Sequence, residues 1–308
     1  MAGSRRDAVS QADDLPTRIT DTDALSLMLN EKRSKQVRAF LRNKTSLLGA
    51  GIATVIVLIS LFAGILAPYD PVEQNVRVRL KPPQPDHLLG TDSFGRDVLS
   101  RILWGSRISL IVGVGSVLFG MVLGTLLGMI SGYRGGKTGE LIMRLMDILM
   151  CFPTEILAIM VLVVLGPGLE KLILTIGAVM TPRFARLAFA TTLSVKEREF
   201  VLAARAVGVR PYGVLFKHVL PNIFGEILVI SSLWTATAIR VEANMSFLGL
   251  GVSPPTPTWG NMVLTGVAQL TNAPWLSLFP GLAITLAILS FNLIGDGLRD
   301  VMDPKLRG

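Results

Sequence analysis

The sequence predicts an all-α fold, a polytopic membrane bundle of six transmembrane helices with its N and C termini in the cytoplasm. Three observations predict it. Half of the 308 residues are hydrophobic and only 17% are charged, whereas soluble domains carry about 25% charged residues. Apolar runs of about 20 residues, enough for a helix to cross a hydrocarbon core of about 30 Å, recur along the chain. The loops between them are basic on alternate sides. Such a composition excludes most soluble enzyme folds.

Residues 1–45 form a cytoplasmic tail, and no apolar stretch begins early enough in it for a cleavable secretory signal. Its first 30 residues mix acids and bases without an apolar pattern and are expected to be disordered. Lys32, Arg33, Lys35, Arg38, Arg42 and Lys44 then cluster before the first apolar run and resist translocation. The first span is 46–67, which is free of charge and about 33 Å long as a helix. An extracytoplasmic loop follows at 68–107. A core of five helices fills 108–297, with spans near 108–132, 141–165, 168–190, 223–248 and 275–295, and 298–308 is a cytoplasmic tail.

Loop charge agrees with this count. The loops assigned inside hold Arg134, Lys137 and Arg144, then Arg183, Arg186, Lys196, Arg198, Arg205, Arg210 and Lys217, whereas 249–274 holds no Lys or Arg. The loop 68–107 carries six basic residues beside five acidic ones, which a long translocated loop tolerates. The net charge of +8 therefore reads as membrane topology and not as a nucleic-acid surface. Cys151 is the single cysteine, and His87 and His218 lie far apart, so neither a disulfide framework nor a metal site is expected. No G-x-x-x-x-G-K-[ST] stretch is present to cradle phosphates, and no catalytic residue is assigned.

Gly120, Gly124 and Gly128, spaced by four, form a small-residue ridge suited to close helix packing. Asp147 and Pro153 interrupt the third run, and Glu226, Arg240 and Glu242 interrupt the fifth. Ionisable groups at membrane depth are expensive, which makes Arg240 and Glu242 the candidate substrate-pathway residues. Two apart on a helix, they cannot face each other.

The loop 194–222 is too patterned to be a plain connection. Phe200, Ala203, Ala204 and Val207 follow a helical stripe, and Tyr212, Leu215, Phe216 and Val219 repeat it. Two short amphipathic helices are expected, with Gly208 left-handed at the end of the first, Pro211 opening the second and Pro221 closing it. The pattern fits either a knob presented to a soluble partner or a helix lying among lipid headgroups.

Leu202-Ala203-Ala204, then Gly208, then Leu220-Pro221, resembles the EAA loop of ABC importer permeases, the element that docks into an ATP-binding subunit. Leu202 stands where that pattern usually has Glu, and His218 where it has Ile. Two further segments, 89–110 (LGTDSFGRDVLSRILWGSRISL) and 246–262 (SFLGLGVSPPTPTWGNM), are similar to the C-type, second permease of dipeptide/oligopeptide/nickel importers. Arg240 departs from that family, where the position is generally apolar.

The resemblance implies a type I ABC importer transmembrane domain in a bacterial inner membrane, taking up peptides or similar small solutes. It implies a heterodimer with a homologous second permease, two ATP-binding subunits and an extracytoplasmic solute-binding protein. ATP and Mg would sit on the partner subunits, with no cofactor in this chain. The ATPase-coupling residues it implies are Phe200, Ala203, Ala204, Arg205, Gly208, Val209, Pro211, Lys217, Leu220 and Pro221. Asp92, Arg96, Pro255 and Trp259, in the two outer segments, are the candidate contacts for the solute-binding protein. The rival reading is an ion-coupled secondary transporter, which should show internal repeats and midplane carboxylates; neither stands out.

Overall fold

The computed structural model describes residues 40, 41 and 43–302, so the expected disorder of 1–30 and the end of the C-terminal tail lie outside the described residues. The helices are α1 (Lys44–Leu66), α2 (Val98–Arg134), α3 (Gly136–Met150), α4 (Thr154–Leu165), α5 (Leu169–Lys196), α6 (Glu199–Ala206), α7 (Pro211–Phe247), α8 (Trp259–Val267) and α9 (Trp275–Met302). Among the described residues, β structure is confined to two isolated bridges.

Five of these helices, α1, α2, α5, α7 and α9, are long and apolar enough to cross a membrane. The expected third span is different. Its two halves, α3 and α4, meet at 91°, and at 1.5 Å per residue neither alone spans about 30 Å. Pro153 is the cause: it lacks an N–H, and it disfavours helical geometry in Phe152 before it.

The neighbouring helices decide how the bent pair counts. A Cβ on Gly120 would stand 2.8 Å from the Gly177 carbonyl oxygen, one on Gly124 2.5 Å from that of Thr181, and one on Gly128 closer still to that of Ala185. The two sets of numbers climb together, so α2 and α5 run parallel with their backbones in contact. The chain must therefore return from one end of the pair to the other between them, and α3–α4 is that return. The start of α1 and the end of α9 also share one end of the bundle: Asn43 Nδ2 donates to Asp300 Oδ2 at 3.3 Å, and Gly297 backs onto the Ser46 side chain. Six crossings satisfy both constraints, with the bent pair counted as one.

Several helix boundaries differ from expectation, among them the end of α5 at Lys196, six residues beyond the predicted span. α2 begins at Val98, ten residues before the predicted span, because the Asp97 carboxylate caps it, accepting from Ser100 N at 2.8 Å. α9 extends to Met302. Pro221 does not close a separate helix; α7 continues through it. A π turn over Val214–Val219 precedes the proline, with Leu220 N–H reaching back to the Leu215 carbonyl, and this wider turn shifts the hydrogen-bond ladder just before the missing donor.

The main core lies where α2, α5 and α7 meet, filled by Met129, Ile176, Met180, Phe184, Ile223 and Ile227. Replacing Gly128 by Val should force α2 off α5 at a cost of about 1–3 kcal/mol, read as a lower thermal midpoint of the detergent-extracted protein. Gly51→Val, where a Cβ meets nothing within 4 Å, should leave that midpoint unchanged.

Candidate functional site: elbow, rim and membrane-depth charges

At the end of the bundle that holds the start of α1, α6 and the first turns of α7 form an elbow. Its corner is a complete C-cap: Gly208 N–H donates to Arg205 O at 3.0 Å and Val209 N–H to Ala204 O at 3.1 Å, the paired bonds of a Schellman motif. Gly208 has φ +83, and nothing lies within 4 Å of where a Cβ would be. Glycine is needed there for conformation, not for space.

The elbow sits on the bundle through Val201, Ala204, Val214, Leu215 and Val219, all buried. Phe200, Val207, Tyr212 and Phe216 face outward, with Val207 81% and Tyr212 67% exposed. Part of the predicted stripe therefore points away from the bundle: Phe200, Ala203 and Val207 are exposed while Ala204 is covered. A cleft of about 620 Å³ separates the elbow from the end of α2, lined by Tyr133, Arg134, Arg205, Val209, Tyr212 and Leu215. Lys196 Nζ donates to Gly132 O at 3.1 Å and ties the ends of α5 and α2 together beside it.

At the opposite end, 68–97 folds over the start of α2. Asp92 organises this rim. Its carboxylate accepts from Phe94 N at 2.8 Å, Arg96 N at 3.0 Å and Arg96 Nε at 2.6 Å, with Arg101 Nε 3.7 Å away. Asp97 holds Ser100 and accepts from the His87 ring at 3.0 Å. Gly95, at φ +73, lies so close to the Asn75 carbonyl that no Cβ fits. Trp259, at the start of α8, is 2% exposed and donates from Nε1 to Ile102 O at 3.0 Å.

Between the two ends, Glu242 is fully buried between α7 and α2. It accepts from Ser109 Oγ at 3.0 Å and Ser246 Oγ at 2.7 Å. Arg240, on the other face of α7, donates from Nη1 to Glu155 Oε1 of α4 at 2.9 Å. Asp147 of α3 pairs with Arg186 of α5.

A family profile described as "Binding-protein-dependent transport system inner membrane component" matches residues 124–308, and one described as "N-terminal TM domain of oligopeptide transport permease C" matches residues 34–83. The chain belongs to this permease family. The permease is 42% identical to the dipeptide transport system permease protein DppC of Alkalihalophilus pseudofirmus, over 86% of this chain and 88% of that one. It is 41% identical to the oligopeptide transport system permease protein OppC of Bacillus subtilis, with 87% and 88% covered. Identity to the glutathione transport system permease protein GsiD of Pectobacterium atrosepticum is also 41%, with 88% and 90% covered. Among solved structures, a chain of the inward-facing MetNI methionine ABC transporter matches with a TM-score of 0.53 at 19% identity, covering 67% of this chain and 97% of that one, a likeness of fold. The permease is thus a multi-pass inner-membrane subunit of an ABC importer and is not itself a catalytic chain. These comparisons lend the ion-coupled alternative no support.

Several assigned positions change meaning in the permease. Asp92, Arg96 and Trp259 are buried and spend their polar atoms inside the rim, so of the four candidate contacts for a solute-binding protein only Pro255 is exposed. Glu242 is sealed between α7 and α2 with its carboxylate bonded to two serines, whereas Arg240 stays open. Glu155, which pairs with Arg240, and Trp234, over which Arg183 lies, were not singled out from the sequence, and Arg183, expected in an inside loop, lies on α5. Glu155 follows the predicted breaker Pro153 by two residues, and that local charge was the one signal available.

Asp92 is the sole carboxylate that Arg96 and Arg101 pair with among the described residues. Its replacement by Ala should strand two buried guanidinium groups and cost about 3–5 kcal/mol. Faster proteolysis of the 68–97 segment in right-side-out vesicles checks this.

Proposed function

We propose that the permease forms a translocation pore with a homologous second permease and imports peptides or similar small solutes. A solute-binding protein delivers the cargo, and two ATP-binding subunits that hold ATP and Mg drive the cycle. The observation that carries this reading is the elbow. An apolar surface built from Phe200, Val207, Tyr212 and Phe216 stands outward on a rigid capped turn, beside a cleft edged by Arg134 and Arg205. The dipeptide and oligopeptide permeases among its relatives support peptides as the cargo class.

The motion follows from continuity. Pro211 opens a helix that runs to Phe247, about 55 Å at 1.5 Å per residue. A partner that grips the elbow at the cytoplasmic side therefore displaces the same rigid rod that carries Arg240 near the far side. ATP-driven closure of the partners would move the elbow and open the outer side, the rigid-body form of alternating access. Lys217, Leu220 and Pro221 belong to the start of that rod, so their role is transmission and not a separate docking helix.

Single cysteines at exposed Ala203 and at Val207 should crosslink to an ATP-binding subunit in the assembled importer, whereas Ala204→Cys, 8% exposed, should not. Crosslinking of these sites to lipid analogues alone would favour a helix resting in headgroups. At Gly208, Val should strain the left-handed corner by roughly 1–2 kcal/mol and abolish coupled uptake, while Asn, which tolerates that region, should keep much of it. ATP-driven uptake in proteoliposomes measures both.

A further inference from the structure

Elbow and rim leave one polar cluster without a role. It lies on α4, α5 and α7, near the middle of α5 and on the far half of α7. Arg240 Nη1 donates to Glu155 Oε1 at 2.9 Å. Arg183 Nη2 donates to Thr154 Oγ1 at 2.8 Å, and its guanidinium lies 4.2 Å over the Trp234 ring. Arg183 is near enough to Glu155 and Arg240 to feel both charges, yet among the described residues it has no carboxylate within 4 Å. One carboxylate thus stands against two guanidinium groups and pairs directly with Arg240 alone, and the cluster carries an excess positive charge.

This cluster is open. The side chains of Arg240 and Glu155 are 49% and 36% exposed. Thr237 and Asn244, three before and four after Arg240, continue a polar stripe along the same face of α7. Ionisable groups at this depth cost about 2.5–3.5 kcal/mol each even by the mildest insertion scales, so the face that bears them does not rest against hydrocarbon. It lines a wet path or meets the second permease across one.

We propose that Arg240 and Arg183 form a receiving site in the translocation path for the carboxylate of the cargo, and that Glu155 holds Arg240 in position until that carboxylate replaces it. The proposal rests on the peptide-import reading and names the chemical group that the path recognises. Planar guanidinium groups suit this role, because they bind carboxylates through paired N–H donors. Arg183 is already oriented by Thr154 and Trp234, and its charge is not neutralised by a direct partner. Exchanging one carboxylate for another on Arg240 makes and breaks similar bonds, so the cargo is recognised without being trapped, as conduction requires.

The test uses the complete importer, with its binding protein and ATP-binding subunits, in proteoliposomes. Uptake of trialanine is compared with that of trialanine amide, and the ratio is followed across variants, because the binding protein is the same throughout. Arg240→Gln should lower the ratio of acid to amide uptake about tenfold, the loss expected for a hydrogen bond to a charged group. Arg240→Lys should lower it less. Glu155→Gln should raise it, because the competing carboxylate is gone. If Arg240→Gln and Glu155→Gln instead depress both peptides alike, the pair is a structural strut between α4 and α7 and the proposal is overturned. If the unmodified importer carries neither peptide, the peptide-import reading itself fails and the site assignment goes with it.

Discussion

The backbone contact between α2 and α5 is the constraint on which the rest of the architecture depends. In lipid there is no hydrophobic drive to bring helices together, and close packing must supply the attraction. Gly120, Gly124 and Gly128 allow it by exposing the α2 backbone to the carbonyls of Gly177, Thr181 and Ala185 at a constant offset. A parallel pair cannot be joined by a short loop. The contact therefore dictates that α3 and α4 carry the chain back, and the break at Pro153 brings Glu155 beside α5 and α7. With Lys196 tying α5 to the end of α2, the elbow that follows is hung from a fixed support.

Polar groups in the bundle fall into two kinds. Asp92 with Arg96 and Arg101, and Glu242 with Ser109 and Ser246, are enclosed and have their hydrogen bonds supplied from within the chain. Buried charges persist only when they are satisfied in this way, and such groups rigidify the structure around them. Arg240, Glu155, Arg183 and Arg186 are of the second kind: paired or oriented, but open on one side. On the proposed reading, openness at membrane depth separates a group that only holds the bundle, such as Glu242, from one that cargo can reach, such as Arg240.

How much of this was legible in the sequence depended on how local the cause was. Five of the six apolar runs, the glycine ridge and the left-handed Gly208 are properties of short stretches, and each appears in the structure as a helix or turn near where the pattern pointed. The direction of the third run was not legible, because hydropathy measures composition and is blind to a 91° bend. Pro221 read as a terminator because a proline rule cannot anticipate the π turn that precedes it. Arg240 was visible as an anomaly, but its partner Glu155 lies 85 residues away, and Ser109 lies 133 residues from Glu242. The rim residues Asp92, Arg96 and Trp259 were conspicuous for their chemistry, and chemistry alone does not say whether a charged or aromatic side chain builds a rim or presents it.

The two kinds of polar contact meet on α7, and their arrangement bears on how force reaches the cargo path. Glu242 fastens one face of the helix to α2 at 3.0 Å, and Arg240 fastens the other to α4 at 2.9 Å, two residues apart along the rod. The helix is held between its neighbours at that height, while its other end continues into the elbow. On the proposed reading, displacement of the elbow levers α7 about this level. The Glu242 attachment is sealed from solvent, so no solute can exchange it. The Arg240 attachment is the one that an entering carboxylate can reach, and on the proposed reading its release is what frees α7 to move once cargo is present.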